Sequence, residues 1–568
     1  MKKFFKISFA LVAVISLTFL LTGSSNKNSS SGTELYKIDV YCQTANFSGI
    51  QPGWFGKIVK DKFNIEMNII QSPEGVYATR AASGNLGDLV LFGNNGTEYT
   101  DAIEAGLLRP WDDLLDKYGP DIKKTMPVAL KHNRDTFGNG KTTYGFGYNV
   151  ALSPLEYESP FYHPDLRYDL YKKLPANLQK IKTLEDYIPA LIEMQKMERE
   201  ATGKTDIYAL SLFPNWDGDA VMFVKALGAL YGYDEFGFCH YDVNTKTVRP
   251  YLEDGSMYLR ALKFFNTAFR AGILDPNSPT TGNGDMIWDK FRDGKVLFGL
   301  FKFMSDNYNS EKNMAEGKAM FAVPADDMRP IAYGTNIYGK ERVWAIGSKA
   351  KYPERIMQLI DWLCTPEGVM TFFWGPKGLT WDYDKNNKAY LTEFGVKALA
   401  DKNTIVPDEF GGGKYSDGEP QHNLTTFAAD VTNPITGEKY DRFFWNSELN
   451  KNPSKALAIW RADMSAKTGR NILTPDDLLK GRVSIGIAST FTKASRDAAL
   501  DIKYKAVSTA IKTNTWLALM ASTEDEYNQR VETLISEAKA AGLDECVKWD
   551  REQGAIRAAR EKEAEKAK

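Results

Sequence analysis

The apolar run Leu89-Val90-Leu91-Phe92 is bounded by Gly84-Asn85-Leu86-Gly87-Asp88 before it and Gly93-Asn94-Asn95-Gly96 after it. A short unbroken apolar stretch between turn residues predicts a strand covered on both faces, as in a parallel sheet. Ligands of open α/β sheets sit beyond the carboxyl ends of strands. The loop that follows, with bare backbone and two amides, is therefore a candidate binding edge. Residues 36–41 and 63–69 alternate apolar and polar positions and predict two earlier strands. Further strands are expected over 144–150, 207–213, 294–301 and 341–346.

Helical spacing appears between these strands and dominates after them. Thr183, with Asp186 three residues on, predicts the start of a helix that runs to Arg199 and stops at Gly203. Ser256 predicts the start of another, with Tyr258, Leu262, Phe265 and Phe269 on one face and Gly272 at its end. Pro353, Thr365-Pro366-Glu367 and Thr474-Pro475 open further helices. Helices are also expected over 101–106, 111–118, 165–174 and 221–230, and from Ser522 onward. The charged tail after Lys548 is expected to be solvated or frayed. The class is α/β, with a helix-rich C-terminal portion.

At 568 residues the chain is long enough for two or more domains. Aromatic residues make up 12% of it, more than core packing alone asks for, which points to surfaces that stack flat apolar faces. The net charge of -2 speaks against binding to a nucleic-acid backbone. Cys42, Cys239, Cys364 and Cys546 are far apart and form no metal or redox motif. They are expected to be isolated, mostly buried thiols, with a disulfide between distant pairs left open. His132, His163, His240 and His422 are equally scattered, and HExxH, GxSxG, Walker A and GxGxxG patterns are absent. No catalytic residue and no cofactor is expected.

The N-terminus carries Lys2, Lys3 and Lys6, then an apolar run over 7–21, the length of a signal segment and short for a membrane span. Residues 1–24 are read as an export signal and 25–33, rich in Ser and Asn, as a flexible tether. The segment resembles a bacterial lipoprotein signal, whose motif ends in cysteine; here Ser24 stands at that place. A hydroxyl cannot replace the thiol that takes the lipid. Either the residue is substituted in this chain or the protein is released by ordinary cleavage.

Several segments together carry a family resemblance. They include Gly84 to Leu89, Glu104-Ala105-Gly106-Leu107-Leu108-Arg109-Pro110, Ala271-Gly272-Ile273-Leu274-Asp275-Pro276, Asp293-Gly294-Lys295-Val296, Tyr352-Pro353-Glu354 and Trp374-Gly375-Pro376-Lys377-Gly378-Leu379. In this order the chain resembles the family 1 extracellular solute-binding proteins of bacterial ABC importers, the carbohydrate-binding lipoproteins of Gram-positive type. Gly87 stands where the family usually has proline. The resemblance implies a two-lobed periplasmic-binding-protein-like fold of type II, with hinge crossings and ligand between the lobes. Lobe 1 would take residues 34–150 plus roughly 301–345, and lobe 2 residues 151–300 plus roughly 346–568. It also implies a monomer that captures an oligosaccharide and hands it to the permease of an ABC importer, outside the cell or on the outer face of the membrane.

A sugar ring has an apolar C–H face, which an aromatic plane covers, and a rim of hydroxyls, which amides and carboxylates engage. Trp216 with Asp217 and Asp219 supplies both in one loop. Asn94 with Asn95, Tyr148 with Asn149, Asp285 with Trp288, and Trp374 with Trp381 are similar, and Asn46, Trp54 and Tyr333 extend the set. Asp382, Asp384, Asn386 and Glu393 occupy EF-hand positions 1, 3, 5 and 12, but Asn387 stands where that loop needs glycine, and no metal is assigned. Two alternatives stay open. One is the same receptor with a peptide or other non-sugar ligand. The other is an exported glycoside hydrolase using Asp217 and Asp219, or Asp285 and Asp289.

Overall fold

The computed structural model describes residues 34–282 and 284–567. The export signal and the tether lie outside the described residues, and so does the side chain of Asp285.

The strand Tyr36–Cys42 lies between two parallel neighbours, Ile65–Gln71 and Leu89–Phe92, with Tyr36 opposite Ile65 and Val40 opposite Leu89. Val343–Ile346 then runs antiparallel along Leu89–Phe92, and Gly145–Gly147 closes that edge. Gly49–Ile50 closes the other. All four residues of Leu89–Phe92 are buried, as the unbroken apolar run predicts. Gly145 is required by contact: a Cβ there would sit 2.0 Å from the Trp344 carbonyl oxygen.

One face of this sheet carries a core that contains Trp54, Trp111, Phe146 and Trp344. The helices Pro353–Leu363 and Pro366–Trp374 cover it through Ile356, Leu359, Ile360 and Met370. Trp381, Tyr415, Phe427, Tyr440 and Trp445 join the same core. Residues 353–445 thus pack with the first lobe, contrary to the expectation that everything after about 345 belongs to the second. The amphipathic helix Pro353–Leu363 is directed to the first sheet by Arg355, whose guanidinium donates to the Phe63 carbonyl at 2.9 Å.

The second lobe is built around Tyr162–Arg167, which lies between two antiparallel partners, Phe298–Phe301 and Met320–Ala322. A helix was expected over 165–174; instead Asp165 to Arg167 complete this strand and only Tyr168–Tyr171 turn helical. Pairing on both edges overrides local preference here. Phe298–Phe301 lies at the end of the segment expected on the second lobe, whereas Met320–Ala322 falls in the segment expected on the first, yet the side chains of both belong to the second core. Residues 207–213 form no strand; they run extended through single bridges, Tyr208 to Val296 and Leu210 to Leu274.

The C-terminal tail is ordered. Leu543–Lys566 is one helix, packed on a three-stranded sheet of Tyr233–Phe236, Cys239–Asp242 and Thr247–Pro250. Its Asp550 accepts from the Phe238 N–H at 3.0 Å and pairs with Lys493 at 2.9 Å. Glu561 accepts from the Tyr241 hydroxyl at 2.9 Å, and Arg557 pairs with Asp234 at 2.8 Å. Of the charges expected to be solvated, Asp550, Arg557 and Glu561 are partnered against the second lobe, while Arg551, Glu552, Arg560, Lys562 and Glu563 do stay exposed. All four cysteines are free and buried, as expected.

The chain passes between the two cores in the stretches from Ala151 to Tyr162, from Ile331 to Ile337 and from Trp445 to Trp460. Glu156 ties the first stretch to its neighbours: its carboxylate accepts from the Thr432 N–H at 2.8 Å and its carbonyl from the Thr335 N–H at 2.9 Å. No described helix is long and apolar enough to cross a membrane.

Asp361 supplies a test of this packing. Its buried carboxylate accepts from the Ile122 N–H at 2.9 Å, and burial, the largest influence, pushes it up to about 7. In the unfolded chain it would titrate near 4. The folded state therefore binds the extra proton between about pH 4 and pH 7, and stability falls as pH rises through that window. Asp361→Asn should flatten the curve and lie above the parent past pH 7 by ~2–4 kcal/mol. Urea unfolding at stepped pH measures this; parallel curves for the two proteins would contradict it.

Candidate functional site

Trp216 is 42% exposed, an unusual state for the largest apolar side chain. The loop that presents it is held from below. The Asp217 N–H donates to the Pro214 carbonyl at 3.0 Å, and the Asp217 carboxylate accepts from the Met222 N–H at 3.0 Å and the Trp516 indole N–H at 2.8 Å. Burial pushes the Asp217 carboxyl above its ordinary range, and the indole and amide donors oppose that shift. Asp217, expected as a ligand contact, thus braces the loop, with both carboxylate oxygens taken up by the protein's own donors. Asp219, two residues on, is half-buried in the same loop.

Around Trp216 the rings are continuous. Its centroid lies 4.9 Å from Phe213, 5.8 Å from Trp288 and 6.2 Å from Phe303. Phe303 is 5.7 Å from Trp288 and 5.3 Å from Phe161. Phe161 and Phe303 are exposed as well. The anchors come from four places: the end of the first crossing, the loop 214–219, the helix Gly284–Arg292 and the turn after Phe298–Phe301. Buried Phe213, Phe223 and Phe301 form the floor. Of these rings, Trp216 and Trp288 were expected from the sequence, and Phe161 and Phe303 were not. Phe303 was within reach by the same logic, since it stands just past the end of a buried strand.

The first lobe presents a polar edge. Asn94, Asn95, Tyr148 and Asn149 follow the carboxyl ends of Leu89–Phe92 and Gly145–Gly147, and Asn46 lies in the loop after Tyr36–Cys42. Asn94 and Asn46 are exposed, and Asn95, Tyr148 and Asn149 are half-buried. The Asn94 side chain accepts from the Gly96 N–H at 2.8 Å, and the Asn149 side chain accepts from the Thr425 hydroxyl. This edge and the ring cluster flank the same crossing. The Lys340 N–H donates to the Tyr148 carbonyl at 2.7 Å, and its ammonium pairs at 3.2 Å with Glu158, three residues before Phe161.

Other expected site residues lie elsewhere. Trp54 and Trp381 are fully buried, with their indole N–H groups bound to the Tyr415 and Gly375 carbonyls at 3.0 and 2.8 Å. Both, expected at the binding surface, are packed inside the first core. Trp374 is half-buried against the first core, its N–H on the Tyr440 carbonyl at 2.7 Å and Trp445 beside it at 6.1 Å. It does not join the ring cluster. The Tyr333 hydroxyl donates to Asp234 at 3.1 Å, beside the Arg557 pair.

The hairpin that carries the calcium-like residues directs them apart. Asp382 pairs with Tyr390 across the ladder, so Glu393 continues away from the turn that holds Asp384 and Asn386. Glu393 lies past the end of the strand Ala389–Leu391, where it opens the helix Glu393–Ala400. The Asp384 carboxylate is occupied by the Asn386 and Lys388 N–H groups, each at 2.8 Å. No group of three or more His, Cys, Asp or Glu side chains among the described residues is arranged to hold a metal. Of the carboxylate pairs named for glycoside hydrolysis, Asp217 is bound as above and Asp289 is paired with Arg292.

Asp217→Ala should lower stability by ~2–3 kcal/mol, since it leaves a buried indole N–H and an amide N–H without acceptors. Thermal unfolding checks the loss, and an unchanged melting temperature would contradict the bracing role.

The chain resembles several solved structures. One is an HMO-binding, ABC-transporter-associated solute-binding protein from Bifidobacterium longum infantis, 15% identical with a TM-score of 0.47, covering 92% of this chain and 99% of that one. Another is an N-glycan transport solute-binding protein from Streptococcus pneumoniae, 14% identical with a TM-score of 0.46 and the same coverage. A third is an S. pneumoniae ABC-transporter substrate-binding protein in complex with kestose, 16% identical with a TM-score of 0.46, again at 92% and 99%. No curated protein matches the chain. The model of the bacterial extracellular solute-binding protein family matches residues 48–370. More than half of the sequence falls within that match, and the chain belongs to the bacterial extracellular solute-binding protein family.

Proposed function

We propose that the protein is the extracytoplasmic receptor of an ABC importer and that its solute is an oligosaccharide. The observation that carries this reading is the ring cluster of exposed Trp216, Phe161 and Phe303 with half-buried Trp288. Flat apolar faces held at ring spacing suit the C–H faces of successive sugar units, and a peptide or a single small metabolite would leave much of that surface wet. The amides on the first-lobe edge would engage the hydroxyl rim. Ligand would first stack on the second lobe, then draw the first lobe over it by rotation at the crossings, which expels water. The closed form, a monomer, would dock on the membrane permease and release the sugar unaltered. Export through the N-terminal signal belongs to the same proposal, with a lipid anchor only where a cysteine stands at position 24.

The test is a thermal-shift screen against plant and host glycans, followed by calorimetry and chromatography of the recovered sugar. A ligand that prefers the folded form raises the melting temperature. The expected result is a stabilising oligosaccharide recovered at its original length. Stabilisation by peptides and by no glycan would overturn the sugar reading, and shortened sugar would overturn the receptor reading in favour of hydrolysis.

A further inference from the structure

The first-lobe edge carries one group that a neutral sugar does not call for. Arg342 immediately precedes Val343–Ile346, where Val343 pairs with Phe92 and with Gly147. It therefore stands at the carboxyl ends of both partner strands, beside the loops 93–96 and 148–149. Its guanidinium lies over the Tyr148 ring at 5.0 Å from the centroid, and both side chains are half-buried. Of the acids nearby, Glu158 holds Lys340 and Glu98 holds the Gln43 side chain, while Glu341, the residue before Arg342, is exposed and does not pair with it. Among the described residues no carboxylate pairs with Arg342. Burial raises the Cys42 thiol, and Arg342 is among the smaller influences that lower it, which agrees with a cation above the end of Tyr36–Cys42.

A guanidinium held over an aromatic ring keeps N–H groups free to receive a carboxylate, which it can take through two parallel hydrogen bonds. We propose that Arg342, oriented by Tyr148, anchors a carboxylate of the ligand, so that the saccharide contains an acidic sugar. This rests on the receptor reading above. It assigns the two lobes different tasks: the second stacks ring faces, and the first selects charge as it closes. The acid could be a uronate within the chain or a sialic-type residue at its end.

Calorimetry with the full mature protein tests this. The probes are an oligogalacturonate, a sialylated oligosaccharide, and the carboxyl-reduced form of each. In the parent protein at least one acidic probe should bind ten-fold or more tighter than its reduced form. In Arg342→Met that ratio should fall to near one, and Arg342→Lys, which keeps the charge without the fork, should fall between them. Equal binding of acidic and reduced probes by the parent, or a preference that survives in Arg342→Met, overturns the assignment of Arg342 and leaves the receptor reading standing. Failure of all four probes, with the glycan screen also negative, overturns both.

Discussion

Trp216→Ala is expected to weaken oligosaccharide binding by roughly 30- to 1,000-fold, ~2–4 kcal/mol, the range of a central aromatic anchor. Trp216 contacts three other rings of the cluster, so its removal opens a gap in the middle of the stacking surface. The fold should survive, because the side chain is 42% exposed and the loop is held by Asp217 and not by the indole. Calorimetry and a melting curve on the same sample separate the two effects. Trp288→Ala should act in the same direction. Trp54→Ala and Trp381→Ala should instead lower stability by ~3–5 kcal/mol through cavities in the first core. Undiminished binding in Trp216→Ala would remove the ring cluster from the site.

The second large effect is on folding. A chain ending at Lys548 should fail to form the second lobe. It would strip the Phe238 N–H, Lys493, the Tyr241 hydroxyl and Asp234 of their partners in Asp550, Glu561 and Arg557. Breaking one buried pair costs ~3–5 kcal/mol, and several together exceed the ~5–15 kcal/mol by which domains are stable. Circular dichroism and solubility report the loss. Asp550→Ala should show a single pair's worth of destabilisation. A truncated protein that unfolds cooperatively near the parent's melting temperature would contradict the role given to this helix.

These two predictions mark where the sequence was legible. Leu89–Phe92 could be read as a buried strand because its neighbours demand nothing but apolar surface, and the capped helix Met257–Arg270 because its cap and its face are local. The tail after Lys548 could not, because a charge reads as exposed until its partner is known, and Asp234 and Tyr241 lie some three hundred residues away. Tyr162–Arg167 hid for the same reason: the Arg167 charge is met by Asp169 and Glu198 at 2.8 and 3.1 Å. The tryptophans divide along this line too. Trp54, Trp216 and Trp381 all stand close to turns, and only the packing of distant segments, such as Tyr415 on Trp54 at 5.7 Å, decides which are covered.

The most direct measurement is a crystal structure of the protein with an oligosaccharide that stabilises it. The account predicts sugar rings face to face with Trp216, Trp288 and Phe303, and hydroxyls or a carboxylate on Asn94, Tyr148 and Arg342 from the opposite lobe. A bound sugar elsewhere, with Trp216 still in solvent, would contradict it.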